Sequence, residues 1–226
     1  MDDILFKIST LLIPVGLAIV FHEAAHGYVA WRCGDDTAYR AGRVTLNPLR
    51  HIDPFGTLIV PILLVLTTGF IFGWAKPVPV AFHRLNQPKR DMVWVALAGP
   101  AINIVLAFFS AWLLTWQWWI RLLPDVLHHW IIMSLTYSLL INVVLAVFNM
   151  FPLPPLDGGR IAVGLLPFPL ARALARLEPY GFIILLLLII LLPMVGNLVG
   201  LNLSILHWIL VPLVGNISQF LLWFTS

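Results

Sequence analysis

The 226 residues are 61% hydrophobic, 12% aromatic and only 10% charged, whereas about a quarter of an ordinary globular chain is charged. Such a balance excludes a soluble enzyme, a nucleic-acid binder and a disordered chain, and the formal net charge of +3 carries no message about nucleic acid. A lone Cys33 also excludes a disulfide framework and any cysteine-based zinc or redox motif, so a bound metal has to be held by histidine and carboxylate.

Apolar stretches able to cross a hydrocarbon layer of about 30 Å run over 4–31, 55–75, 92–120, 126–151, 180–201 and 203–224. The first is expected to be retained, because Asp2 and Asp3 lead it in place of Lys or Arg and it ends in charged residues, not in a small-residue cleavage site. Next, Arg40, Arg43, Arg50, His51 and Asp53 alternate with Gly42, Asn47, Pro48 and Pro54, which predicts turns and a short hairpin at the interface. His51 and His83 read as interface residues. Within 92–120, Ala96, Ala98, Gly99 and Ala101 make a narrow face suited to close helix packing. Trp116, Trp118 and Trp119, with His128, His129 and His207, fit membrane boundaries. Over 170–177, Leu170, Leu174 and Leu177 share one helical face and Arg172 and Arg176 another, which predicts a short interfacial helix with snorkelling arginines. The connections are too short for a separate soluble domain. The expected architecture is therefore an all-α polytopic membrane protein forming a single domain over 1–226.

One pattern carries chemistry. His22-Glu23-Ala24-Ala25-His26 lies inside the first apolar helix, and residues four apart share a helix face, so both imidazoles can reach one ion. In zinc hydrolases of this motif the glutamate beside the histidines takes a proton from the metal's water. Ionisable residues in a spanning helix are costly, which favours function over histidines that merely bridge helices. A catalytic zinc normally takes three protein ligands, and the carboxylates close to apolar spans are mainly Asp91, Asp125, Asp157 and Glu178. Asp157 stands out: Pro152, Pro154 and Pro155 before it prevent regular helix, and Gly158 and Gly159 after it allow close backbone approach. Such broken backbone is tolerated at membrane depth where it lines a cavity; the alternative is an ordinary turn with a solvated aspartate.

The chain resembles the site-2 protease family of intramembrane zinc metalloproteases, which joins a membrane-embedded His-Glu-x-x-His to a later Leu-Asp-Gly. The matching residues are His22 to His26 and Leu156-Asp157-Gly158, with Asn149 to Pro152 as Asn-x-x-Pro and Gly99 to Asn103 as Gly-x-x-x-Asn. The stretches Asn47 to Pro54 and Gly73 to Val80 look like those of the short prokaryotic branch, in which no PDZ domain is expected. The resemblance covers about 4–165 as the catalytic core, leaving 180–224 as an additional C-terminal pair of spans. It implies that His22, His26 and Asp157 bind one Zn2+ per chain, that Glu23 is the catalytic base and that Asn149 contacts the substrate backbone. Asn103 is open between a substrate contact, a contact supporting the site and an interhelical hydrogen bond.

The function expected is hydrolysis of a peptide bond within or next to a transmembrane segment of a protein substrate in the lipid bilayer, with no nucleic-acid partner. A membrane zinc carrier or sensor using the same residues is the rival; it has no need of Glu23 and would show polar residues along the 180–224 pair, which has almost none. An inactive scaffold that binds transmembrane helices is a third reading. Topology follows from the zinc. At 1.5 Å per residue His22 lies roughly 27 Å along a helix entered near residue 4, close to the far face. Asp157 reaches that face only if 55–75 re-enters without crossing, and Pro61 and Gly69 offer breaks for it. Re-entry leaves Lys7 and Arg121 as the only basic side chains on the opposite side, with eleven on the side of the site. By the positive-inside rule the site then sits nearer the cytoplasmic face of a prokaryotic membrane, with the amino terminus outside.

Overall fold

The computed structural model describes residues 4–59, 75–201 and 203–226. Among them there is no strand, and five helices are long and apolar enough to cross a membrane.

The first, α1 (Ile4–Arg32), has 29 residues, about 43 Å at 1.5 Å per residue. A one-turn helix α2 (Thr37–Arg40) follows. The central helix α3 (Pro88–Thr115) starts on a proline, whose missing N–H costs nothing in a first turn. Asp91 reaches back to accept the Gln87 N–H at 2.7 Å. Helix α4 (Asp125–Asn149) returns across the layer. The short helices α5 (Asp157–Leu165) and α6 (Phe168–Ala175) come next. Helix α7 (Glu178–Leu186) runs through a π-helical turn, Leu187–Leu191, into α8 (Leu192–Leu198), and α9 (Ile205–Thr225) ends the chain.

Small side chains decide where the helices meet. Ala107 and Ala111 of α3 are fully buried against Leu139 and Val143 of α4 and Leu221 of α9. In lipid, helices gain from such close approach and from interhelical hydrogen bonds. Ser110 Oγ–H donates to Ser138 Oγ at 2.8 Å, and the Thr115 and Thr225 hydroxyls pair at 3.1 Å. A second cluster of Ala30, Leu85 and Val95 joins the end of α1 to the start of α3.

A helix is present as α6 where a short one was expected over 170–177, shifted toward the amino terminus because Pro169 lies in its first turn. The span expected over 92–120 begins at Pro88 and gives way after Thr115 to a 3-10 turn, Gln117–Ile120. No hairpin forms over 40–54. That stretch holds a 3-10 turn, Pro48–Arg50, started by the Asn47 side chain accepting the Leu49 N–H, and prolines leave too few backbone donors for a ladder. Of the segment expected to re-enter, 60–74 lies outside the described residues; Pro54–Ile59 is a π-helical turn. The flanks of that segment meet, since Lys76 N–H donates to the His51 carbonyl at 2.9 Å and Asn86 N–H to the Cys33 carbonyl at 2.8 Å.

Asp35 ties this junction together. It is wholly buried and accepts from the Thr37 N–H, the Thr37 hydroxyl and the Ala81 N–H. Burial alone would raise its carboxyl, but the Thr37 and Ala81 donors and the nearby Arg84 charge outweigh it and hold the group below the usual carboxylate range. A depressed carboxyl stabilises the fold above its unfolded value of about 3.9 and loses that contribution as pH falls through the folded value. Asp35→Ala should therefore lower the thermal midpoint of the detergent-purified protein at pH 7, because three half-buried donors lose their acceptor, each at the low end of the about 1–3 kcal/mol that an unsatisfied buried donor costs. The gap between wild type and variant should narrow below about pH 4.

Candidate metal centre

Two stripes of small and polar residues face each other across antiparallel helices. On α1 the positions are Ala18, His22 and His26; on α3 they are Val95, Gly99 and Asn103. Each set is spaced by four and so shares a helix face. His26 Nδ1–H donates to the Val95 carbonyl at 2.7 Å, and His22 Nδ1–H donates to Asn103 Oδ1 at 2.6 Å. With both Nδ1 atoms committed, the two Nε2 atoms turn inward to 3.0 Å of each other. Gly99 makes room between them: a Cβ there would lie 2.5–2.6 Å from the His22 ring and collide with His26 Nε2.

Asp157, the first residue of α5, completes the group. Its Oδ2 lies 3.2 Å from His22 Nε2 and 3.3 Å from His26 Nε2. The loop that delivers it is packed through glycines, because a Cβ on Gly158 would strike the Met150 carbonyl and one on Gly159 the Pro154 nitrogen. Helix α7 backs the same loop, with Gly181 against the Pro154 carbonyl.

All three side chains are buried, and Asp157 Oδ2 is a buried oxygen without a hydrogen-bond partner. Three lone-pair donors converging in an apolar interior call for a cation. Ligands of a tetrahedral zinc at about 2.0 Å are about 3.3 Å apart, close to the 3.0, 3.2 and 3.3 Å edges here. Among the described residues this is the one His/Cys/Asp/Glu group able to hold a metal, and the donor set of two imidazoles and a carboxylate suits zinc.

The profile of Peptidase family M50 matches residues 120–192. A Bacillus subtilis protein bearing the name of a zinc metalloprotease, YwhC, is 40% identical over 192 residues, covering 80% of each chain. The chain belongs to peptidase family M50. A Mycolicibacterium smegmatis relative, also bearing the name of a zinc metalloprotease, Rip2, is 32% identical over 77% of this chain and 64% of its own length. The regulator of sigma-E protease RseP of Salmonella typhimurium is 30% identical over 50% of this chain and 26% of its own length. No solved structure matches.

Family M50 is the site-2 protease family that the motifs resemble, and membership favours a hydrolase over a metal carrier. Of the carboxylates weighed from sequence, Asp157 meets the histidines. Asp91 closes the start of α3, Asp125 is exposed at the start of α4, and Glu178 pairs with Arg160 at 3.4 Å. His83 is exposed, and His51 is buried with its Nε2 against the Thr45 carbonyl at 2.9 Å. Asn103, open in the sequence between substrate and supporting roles, is fully buried and turned to His22. Asn149 is half-buried at the end of α4, its amide donating to the Leu145 carbonyl.

Glu23 is half-buried, and its Oε2 accepts the Val78 N–H at 2.7 Å. Pro77 and Pro79 have no N–H, so Val78 offers the lone backbone donor at that point. The extended stretch around it is pinned by Arg43, whose guanidinium donates to the Lys76 and Pro77 carbonyls, and by Asp35 at Ala81. Sequence reasoning read Arg43 only as a turn residue, gave Val78 no role of its own and passed over Asp35. It also passed over Asn142, whose signal was an amide in the middle of an apolar span.

Gly99→Ala should lower zinc affinity about tenfold or more, as expected when support of a ligand is disturbed, measured by chelator competition. Gly16→Ala, at a position open on all sides, should leave zinc affinity unchanged and raise helix stability by up to about 1 kcal/mol.

Proposed function

We propose that this membrane zinc metalloprotease hydrolyses a peptide bond within or next to a transmembrane segment of its protein substrate. The observation that carries the reading is the buried group of His22, His26 and Asp157 at the carboxy-terminal half of a spanning helix, with Glu23 beside it on the same helix. A group set in an apolar spanning helix is open to a membrane-embedded chain that approaches within the layer.

His22, His26 and Asp157 would hold the zinc, and a zinc bound there would supply a Lewis acid able to polarise a carbonyl and to make a water acidic enough to attack near neutral pH. Glu23 accepts the proton of the attacking water and delivers it to the leaving amine. The Val78 N–H orients the Glu23 carboxylate through Oε2 and leaves Oε1 for the proton. A substrate helix must unwind locally to expose its bond, and the Pro-rich stretch Asn149 to Pro155, broken from regular helix, supplies backbone groups for an extended chain. Asn149, at its start, contacts that chain.

The meeting of the 51 and 76 flanks supports re-entry of 55–75. The eleven basic side chains then share the face of the zinc site, which is the cytoplasmic face of a prokaryotic membrane by the positive-inside rule.

Glu23→Gln should retain zinc and lose cleavage of single-span substrates in detergent, because it keeps the volume and removes the base. His22→Ala and His26→Ala should lose both metal and cleavage, and Asp157→Asn should weaken zinc binding, a neutral amide being the poorer ligand. Wild-type cleavage by Glu23→Gln would overturn the protease mechanism. In intact cells, Cys33 and a cysteine replacing Gln87 should both resist an impermeant thiol reagent and both react after lysis. Labelling of the Gln87→Cys variant at that position alone in intact cells would show that 55–75 crosses.

A further inference from the structure

A buried chain of hydrogen bonds leads from the metal centre through α3 into α4. Asn103, fully buried, presents Oδ1 to His22 and donates through Nδ2 to Asn142 Oδ1 at 2.7 Å and to the Ala18 carbonyl at 3.2 Å. Asn142, 1% exposed, donates through its own Nδ2 to the Ser138 carbonyl at 2.9 Å and to Ser138 Oγ at 3.4 Å.

The polarity of this chain has one solution. A backbone carbonyl can only accept, so the Ser138 carbonyl requires the Asn142 amide nitrogen to face it. That orientation aims Asn142 Oδ1, also an acceptor, at Asn103. Asn103 must then donate toward Asn142; the Ala18 carbonyl asks for the same orientation from farther away, at 3.2 Å against 2.7 Å, and the Asn103 Oδ1 is left facing His22. An acceptor at that point demands that His22 carry its proton on Nδ1, which frees the Nε2 lone pair. His26 reaches the same state in one step, from the Val95 carbonyl. His22 has no carbonyl of α3 in that place and is served by two amides in series.

We infer that Asn142 is a positioning residue for the metal centre: acting through the Asn103 amide, it keeps the His22 proton on Nδ1 and the Nε2 lone pair directed at the zinc. The inference rests on His22 being a zinc ligand. No side chain of Asn142 approaches the group of His22, His26 and Asp157 directly, so its effect has to pass through Asn103.

The test measures zinc affinity of the detergent-purified full chain by chelator competition, without reference to cleavage. Asn142→Leu, which removes the acceptor and keeps the bulk, should bind zinc about 10–100-fold more weakly, the usual cost of losing a hydrogen bond behind a ligand. Asn103→Leu should weaken binding at least as much, and the Asn103→Leu/Asn142→Leu double variant no more than Asn103→Leu alone. Asn142→Asp in its neutral form keeps an oxygen for the Asn103 amide and an O–H for the Ser138 carbonyl, and should recover most of the affinity. Ser110→Ala breaks another hydrogen bond between the same two helices and should leave zinc affinity at the wild-type value. If Asn142→Leu does not fold, Asn142→Ala and Asn142→Val, which also remove the acceptor, take its place in the same cycle. Wild-type affinity in the acceptor-free variants would overturn the inference. So would an equal loss in the Asn103→Leu background, or a loss in Ser110→Ala as large as in Asn142→Leu, since both mark helix packing as the cause. Retention of zinc by His22→Ala would instead overturn the ligand assignment beneath it.

Discussion

An imidazole offers a metal one lone pair only while its other nitrogen keeps a proton, and inside a membrane that N–H must find an acceptor within the protein. Much of the interior is arranged around this requirement. The Val95 carbonyl serves His26, and Asn103 serves His22. Both come from one stripe of α3, which explains why the residue between them is Gly99: any side chain there would occupy the space the rings need. The close fit of α1 to α3 is therefore a condition of the metal centre as well as a packing contact.

Asp157 meets the histidines from the opposite direction, on a loop whose course is set by prolines and by glycines packed onto backbone. A helix could not deliver it, because the chain must stop α4 at Asn149, turn through Pro152 to Pro155 and restart at Asp157 within a few residues. Broken backbone of this kind is tolerated at depth because protein, not lipid, surrounds it. Helix α7 contributes to that enclosure by laying Gly181 on the Pro154 carbonyl. Helix α7 thus forms one wall of the loop that carries the carboxylate.

A second set of ties brings the catalytic-base candidate under control of a distant stretch of chain. Glu23 accepts from Val78, and the stretch around Val78 is held by Arg43, by the His51 carbonyl and by Asp35. Arg43 and Asp35 are buried polar side chains whose position is explained by the backbone groups they satisfy. The orientation of Glu23 thus depends on the junction between α1 and α3, where the two flanks of 60–74 come together.

Local regularities of the sequence were enough to announce a membrane protein, the five spanning helices found among the described residues and its chemistry. Composition alone excludes a soluble fold, and a spacing of four puts His22 and His26 on one face of any helix. Prolines and glycines around Asp157 mark a break whatever surrounds it. What the sequence left open were the partners. Asp91, Asp125, Asp157 and Glu178 were all available carboxylates, Asn103 had three possible roles, Asn142 showed only as an amide in an apolar span with no partner indicated, and Val78 and Arg43 carried no signal that separated them from ordinary turn residues. The reason is one of range: periodicity reports on neighbours within a turn or two, whereas His22 meets Asn103 across 81 positions and Glu23 meets Val78 across 55. Those meetings depend on the register and crossing of helices packed against each other, which only the tertiary structure decides.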